Sequence, residues 1–324
     1  MTPMPYRRCG RWGLKLPAIS LGGWQTVGGY EGPGVAREVF RRAFDLGITH
    51  FDFANNYGRT PGQGEIEGGR ILAELPRDEI VVSTKAGYRM WPGPYGEWGS
   101  RKYLIASCDQ SLRRLGMEYV DVFYSHRFDP ETPLEETLGA LDTLVAHGKA
   151  LYAGISSYDG ERTRRAVEIC RANGWAPIVL HQPRYNLLDR RIETDLLPVA
   201  GDLGLGVIVF SPLAQGLLTG KYLDGVPEGS RLAQEEMPWQ LRGPDAATLD
   251  TVRRLAAVAR GRGQSLAQMA LAWCLRRPEV TSVLTAVSSV AQLEEAVAAV
   301  DGPALSAEEL ERIDAILAGE EREP

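Results

Sequence analysis

The sequence predicts an α/β protein built as a (β/α)8 barrel, with a hairpin before it and an extra helix after it. Two observations carry this. Short apolar runs alternate with amphipathic helical segments eight times in one order, which implies a parallel sheet. The side chains able to do chemistry, Asp52, Tyr57, Lys85 and His126, fall in or just after three of those runs: THFDFANNYG (49–58), IVVSTKAG (80–87) and VDVFYSHR (120–127). When a parallel sheet closes into a barrel, its strand C-terminal ends converge on one mouth. A length of 324 residues suits one such barrel. A doubly wound open sheet is the alternative; eight evenly spaced units favour closure. No internal linker divides the chain, so residues 1–324 are expected to form one domain.

The elements follow in order. The opening YRRCGRWGLKLPAISLG (6–22), punctuated by Gly10, Gly13 and Pro17, reads as a hairpin leading into a first barrel strand at 18–23. The helix over 34–47 has an apolar stripe at Val35, Val39, Phe40, Ala43 and Leu46 and stops at Gly47. Strands are expected at 49–54, 79–85 and 120–126, with helices at 64–74 and 101–116 between them. The helix over 133–148 starts with Pro133 in its first turn behind Thr132 as N-cap. Strands at 150–156, 177–183 and 206–212 alternate with helices at 159–173 and 192–203. A helix in two pieces, 247–261 and 265–276, precedes the last strand (281–287), a helix at 290–299, the extra helix at 306–318 and the acidic tail EEREP. Two loops, 87–100 and 214–246, are longer than connection requires, and loops at the mouth commonly shape a ligand site. Trp91, Tyr95 and Trp98 in the first of them can form apolar walls, or pack on one another.

Composition narrows the function classes. Apolar residues make up 44% of the chain, enough for a large core, and the net charge of −6 gives no reason to expect nucleic-acid or anionic-membrane partners. Cys9, Cys108, Cys170 and Cys274 lack metal-ligand spacing, so no metal is expected. Scattered cysteines, no secretory h-region and no apolar run near the ~18 residues of a membrane span together point to the cytoplasm.

Read singly, the four mouth residues are bland: a loop tyrosine packs, a strand-end lysine snorkels, a lone histidine sits in a core. Read together, they can protonate a carbonyl oxygen. A free phenol with a pKa near ~10 is a poor acid at neutral pH. An ammonium against it lowers that pKa. Lys85 is placed to do so, Asp52 to keep Lys85 charged, and His126 to orient the carbonyl.

The segments FDFANNYG, STKAG, RRLGMEYVDVFYSHR, GKALYAGISSY, HQPRYNLLDR and FSPLAQGLLTGKY resemble the aldo-keto reductase superfamily over nearly the whole chain. The branch it most resembles includes bacterial L-glyceraldehyde-3-phosphate reductases and potassium-channel β-subunits; KAGYRMWPGPYGEWGSRKYL is especially similar to the former. The resemblance implies a (β/α)8 barrel, a catalytic set at Asp52, Tyr57, Lys85 and His126, and an extended NADPH. It puts Ser156, Ser157 and Gln182 on the carboxamide of the nicotinamide and Phe210 on its ring. Ser211, Leu213, Gly216 and Lys221 lie along the phosphates, and Ser288, Gln292 and Glu295 at the adenosine end. Ser289 and Ala296 stand where that branch carries Arg and Asn, and Ala286 where it carries Gly. Losing an Arg–phosphate pair removes about 1.5–3 kcal/mol, which makes NADH an alternative cofactor. The implied reaction reduces small aldehydes or ketones such as L-glyceraldehyde 3-phosphate or methylglyoxal, with Trp24, Trp91 and Arg127 as substrate residues. Arg59 and Arg89 are further phosphate anchors near the mouth. Alternatives are a sugar-nucleotide keto reductase and a slow-turnover, redox-sensing nicotinamide-binding subunit. A homo-oligomer is also implied.

Overall fold

A computed structural model of the chain describes residues 3–29, 32–228, 230–233 and 243–320. The tail at 321–324 and part of the loop expected at 214–246 lie outside these residues. A two-stranded antiparallel hairpin, β1 (Tyr6–Arg8) and β2 (Lys15–Pro17), precedes the barrel. The barrel strands are β3 (Ile19–Gly22), β4 (His50–Asp52), β5 (Val81–Ala86), β6 (Val120–Ser125), β7 (Ala150–Ser156), β8 (Ile178–Gln182), β9 (Gly206–Val209) and β10 (Val280–Thr285). They pair in parallel in chain order, and β10 closes onto β3. Closure excludes the open-sheet alternative.

The surrounding helices are α1 (Pro33–Asp45), α2 (Gln63–Leu72), α3 (Arg101–Leu115), α4 (Leu134–Ala146), α5 (Gly160–Asn173), α6 (Leu196–Leu203), α7 (Ala246–Gly261), α8 (Leu266–Leu275) and α9 (Val290–Val297), with the extra helix α10 (Ala307–Ala318) last. Their starts follow local chemistry. Ser100, Asp159 and Ser265 each accept a backbone N–H in the first turn of α3, α5 and α8, and Ser306 and Glu309 form a reciprocal capping box on α10. The start of α4 differs from expectation. Pro133 itself is the N-cap, with no side-chain cap. The Thr132 hydroxyl instead donates to Asp129 Oδ2 at 2.6 Å, because that carboxylate gathers the loop from Gly99, Glu131 and Thr132.

Several expected strands end early at the mouth. The run 206–212 pairs regularly only to Val209; Phe210 makes an isolated bridge to Arg184, and Ser211 turns out of the ladder at φ +55°. The helix expected at 192–203 divides into a 3-10 turn (Arg191–Glu193) and α6. That at 290–299 divides into α9 and a 3-10 turn (Ala298–Asp301).

The core has two layers. Between sheet and helices, Phe40 stacks on Phe51 with centroids 5.2 Å apart. Inside the barrel, Tyr124, Leu180, Ile208 and Leu284 pack with Cys9 and Leu16 of the hairpin, which closes the end where β9 begins. The barrel interior is tight: a Cβ on Gly154 would lie 2.4 Å from the Tyr124 ring, so only glycine fits there. The mouth is therefore the open end, and the strand termini that face it position the site.

Candidate active site

β4 and β5 run level, with Asp52 opposite Ser83. In a strand every second side chain shares a face, so His50 and Asp52 point one way, as do Ser83 and Lys85. The result is a buried cluster. Lys85 Nζ donates to Asp52 Oδ2 and to the Phe53 carbonyl, each at 2.5 Å, and both ionic side chains are fully buried. Asp52 Oδ1 accepts from Ser83 Oγ at 2.5 Å and from Gln182 Nε2 at 3.2 Å. Every partner of this carboxylate is a donor, which keeps it ionised without solvent.

Tyr57 lies on the turn after β4. Its hydroxyl is 3.4 Å from Lys85 Nζ. Its ring is held edge-on against Trp24 at 4.9 Å and faces the His126 ring at 6.2 Å. His126 follows β6, its backbone N–H bonded to the Ala86 carbonyl. Its Nδ1 is buried without a hydrogen-bond partner, and Tyr88 packs edge-on against the ring at 4.6 Å.

The electrostatics assign proton states. Burial, then the Lys85 and Arg127 charges, hold the His126 imidazole well below its usual value, so the ring is neutral. Burial, reinforced by Asp52 and Tyr88, pushes the Tyr57 phenol well above its usual value. Burial also lowers Lys85, against the opposing pull of Asp52 and Glu65. The phenol shift runs opposite to the expected lowering. The reason is first burial, which disfavours the charged phenolate, and then the negative charge of Asp52 and the neighbouring Tyr88. In this state Tyr57 keeps its proton and His126 carries none to spare.

The positions expected to meet a cofactor lie on the other side of the mouth. Ser156 Oγ donates to the Gln182 carbonyl at 2.8 Å, and exposed Ser157 takes a left-handed conformation (φ +60°). Gln182 gives its amide N–H to Asp52, joining the two halves of the site. Phe210 is half-buried, with the Arg184 guanidinium 5.6 Å above its ring. Beyond it, Ser211, Ala214, Gln215 and Gly216 all take positive φ. Turns of this kind can form anion-binding concavities, although here the Ala214 and Gly216 N–H groups donate to the Ser211 and Leu213 carbonyls. Leu213 is half-buried at the start of this turn. A Cβ on Gly216 would lie 2.7 Å from Lys221 Cε, so the lysine lies against the bare backbone. A bare backbone with a cation beside it suits an anionic group.

At the start of α9, Ser288 donates its backbone N–H to Gln292 Oε1 at 3.1 Å, and the Ser289 hydroxyl accepts from the Gln292 N–H. Ser289 is thus the helix N-cap. Ser288, Gln292 and Glu295 are exposed, whereas Ala296 is only 4% exposed and part of the core. Among the expected substrate residues, Trp24 touches Tyr57, but Trp91 turns to Tyr103, 5.4 Å away. Arg127 is engaged: it donates to the Gly87 carbonyl and to Glu97 Oε2, and its guanidinium lies over the rings of Trp98 (3.5 Å) and Tyr88 (4.4 Å). Arg59 and Arg89 are exposed.

Sequence reasoning missed His50, Ser83, Tyr88 and Glu97. The first two carried a signal, the period of two that puts them beside Asp52 and Lys85. Tyr88 and Glu97 carried none, because only the loop fold brings them to His126 and Arg127.

Comparison with known proteins agrees with this geometry. The Aldo/keto reductase family model matches residues 18–318. The chain is 54% identical over 319 residues to L-glyceraldehyde 3-phosphate reductase of Escherichia coli O157:H7, covering 96% of this chain and 92% of that protein. It is 53% identical, with the same coverage, to the same reductase of Escherichia coli strain K12. It is also 41% identical over 327 residues to a putative voltage-gated potassium channel subunit beta of Schizosaccharomyces pombe, covering 97% and 93%. With a closed parallel barrel and a match that runs through all its strands, the chain belongs to the aldo/keto reductase family and is an NAD(P)H-dependent oxidoreductase.

Proposed function

We propose that the protein reduces small aldehydes or ketones, with L-glyceraldehyde 3-phosphate and methylglyoxal as substrates and Tyr57 as general acid. The observation that carries this reading is the Tyr57 hydroxyl 3.4 Å from the buried Lys85 Nζ, with the His126 ring 6.2 Å from the Tyr57 ring. A bound nicotinamide supplies the hydride. His126 donates a hydrogen bond that fixes the carbonyl, and Tyr57 releases its proton to the oxygen as negative charge develops there. Lys85 then stabilises the phenolate, held in place by Asp52. The high phenol pKa is consistent with this order: the proton leaves only when an alkoxide demands it.

Ser156, Ser157 and Gln182 would hold the carboxamide, Phe210 the ring, and Ser211, Leu213, Gly216 and Lys221 the phosphates. Ser288, Gln292 and Glu295 would meet the adenosine end. NADPH is the proposed cofactor, with NADH close behind, because Ser289 caps a helix where a resembling branch carries a cation. A triose phosphate would draw its anionic end to Arg127, displacing Glu97, or to Arg59 or Arg89. The names of the Escherichia coli relatives support the triose phosphate substrate. Four buried free thiols support a reducing cytoplasmic setting, and a homo-oligomer is part of the same proposal.

The test is a fluorescence titration with NADPH and NADH, followed by turnover of L-glyceraldehyde 3-phosphate and methylglyoxal. Multiple turnover with either carbonyl is the expected result. Tight cofactor binding without turnover would instead favour a slow-turnover, redox-sensing nicotinamide-binding subunit; the name of the Schizosaccharomyces pombe relative, a putative channel subunit beta, supports only a subunit role.

A further inference from the structure

Beneath the site runs a chain of buried polar groups that the proposed chemistry does not use. His50 Nε2 lies 3.0 Å from Ser83 Oγ, and His50 Nδ1 lies 2.8 Å from Ser20 Oγ. Ser20 Oγ lies 2.6 Å from Ser282 Oγ. All four residues are fully buried. They link β10, β3, β4 and β5 across the barrel, and the chain ends on Asp52 through the 2.5 Å contact from Ser83.

The direction of every bond follows from its end. An ionised carboxylate only accepts, so the single Ser83 proton goes to Asp52. Ser83 can then only accept from His50, which requires a proton on Nε2. Burial lowers His50 to about 4, so the ring is neutral and its Nδ1 must accept from Ser20. With its own proton spent, Ser20 accepts from Ser282 across the 2.6 Å contact, which is shorter than the 3.4 Å from Ser282 Oγ to the Ala18 carbonyl. All four donors point toward Asp52.

We infer that His50 and Ser83 are positioning residues: a one-way hydrogen-bond relay that locks Asp52, and through it the Lys85 ammonium, against Tyr57. Asp52 Oδ1 has two donors, Ser83 at 2.5 Å and Gln182 at 3.2 Å, and the shorter bond belongs to the relay. Without Ser83, Asp52 Oδ1 keeps only the longer Gln182 contact, so the carboxylate that holds Lys85 through Oδ2 loses one of its short anchors. The inference rests on the proposed roles of Tyr57 and Lys85 for its kinetic consequence, but not for its hydrogen-bond direction.

Two measurements test it. The first needs no variant and no substrate: 15N NMR of the histidine rings in the intact protein should show His50 protonated on Nε2 and bare on Nδ1. The opposite tautomer, or an imidazolium at neutral pH, overturns the inference. The second is kinetic. Ser83→Ala should lower kcat by up to about 100-fold, as small misplacements of reacting groups do, with KM and cofactor Kd nearly unchanged. The charged and titratable groups facing Asp52 are Lys85, Tyr57, Tyr124 and His50. With one donor fewer the Asp52–Lys85 pair is held less firmly against Tyr57, so the pH dependence of kcat/KM should change. Ser83→Thr keeps the hydroxyl and should restore both rate and profile. A folded Ser83→Ala protein with normal kcat and profile, or a loss that Ser83→Thr fails to rescue, refutes the relay. If Ser83→Ala does not fold, Ser20→Ala takes its place, with a smaller loss of kcat expected and the tautomer readout still decisive. If no carbonyl is turned over at all but the tautomer is as stated, the proposed function has failed and the relay has not.

Discussion

The two sides of the barrel mouth are built to different standards. On β4, β5 and β6, Asp52, Lys85 and Ser83 are fully buried, His126 almost so, and the carboxylate is matched by short donors. On the β10 side, Ser288, Gln292 and Glu295 are exposed, and the first two bond chiefly to each other. Burial makes the first side intolerant: removing one partner of a buried pair leaves an uncompensated charge and costs about 3–5 kcal/mol. The second side can change at little cost, since exposed substitutions usually lie within about 0.5 kcal/mol. The contrast teaches that the proton chemistry is tied to the fold, while the choice of cofactor is not. The departure from the resembling branch at 289 falls on the tolerant side, whereas Ala296 is a core position that this contrast does not explain.

Four experiments would break or sharpen that contrast. The largest effect is expected at the buried side. Tyr57→Phe should lower kcat by about 10²–10⁴-fold, the usual worth of a general acid, with cofactor affinity almost intact. A variant that retains most of its rate would remove Tyr57 from the role.

The second experiment follows stability against pH. Burial holds His50 at about 4 and His181 at about 3, below the ordinary imidazole value of 6.5. Between those limits the unfolded chain binds protons that the folded chain refuses. Stability is therefore full above about pH 6.5 and falls by a few kcal/mol as pH drops toward 4, on the order of 1.4 kcal/mol for each tenfold difference in proton affinity between the two states. Urea unfolding midpoints measured from pH 7 to 4 should decline steadily. A flat profile would mean that the buried histidines are solvated.

The third concerns the cofactor side near the barrel wall. Phe210→Ala should weaken NADH and NADPH by the same factor, about 1–3 kcal/mol by analogy with base–aromatic stacking. A loss confined to one cofactor would place Phe210 away from the shared nicotinamide. The smallest effect belongs to the exposed edge. Ser289→Arg should tighten NADPH about tenfold more than NADH, and the gain should shrink with salt because the site is screened. Wild-type protein that already prefers NADPH by about a hundredfold or more would show that another cation, with Lys221 the first candidate, reads the 2′-phosphate. The position at 296 is a poorer place for repair: Ala296 is core, and an amide there must find room and partners.

Much of this was legible in the sequence. Local periodicity marked the eight strands, because alternating apolar runs and helical stripes report on burial that each segment must find. The stops at Gly47 and Gly116 needed only neighbouring residues. Asp52, Lys85 and His126 were recognisable because each ends a strand, and a parallel barrel brings strand ends together. Tertiary structure alone decided the rest. Thr132 lost its cap role to a carboxylate three residues away that was already gathering the loop. Arg127 looked like a free cation, yet it is clamped by Glu97, Trp98 and Tyr88, which only the fold of the 87–100 loop brings to it. The phenol of Tyr57 is shifted opposite to expectation because burial dominates, with Asp52 and Tyr88 acting in the same direction. Sequence specifies which groups meet at the mouth; distances and desolvation, which arise only when strands from across the chain are packed together, decide what charge each group carries there.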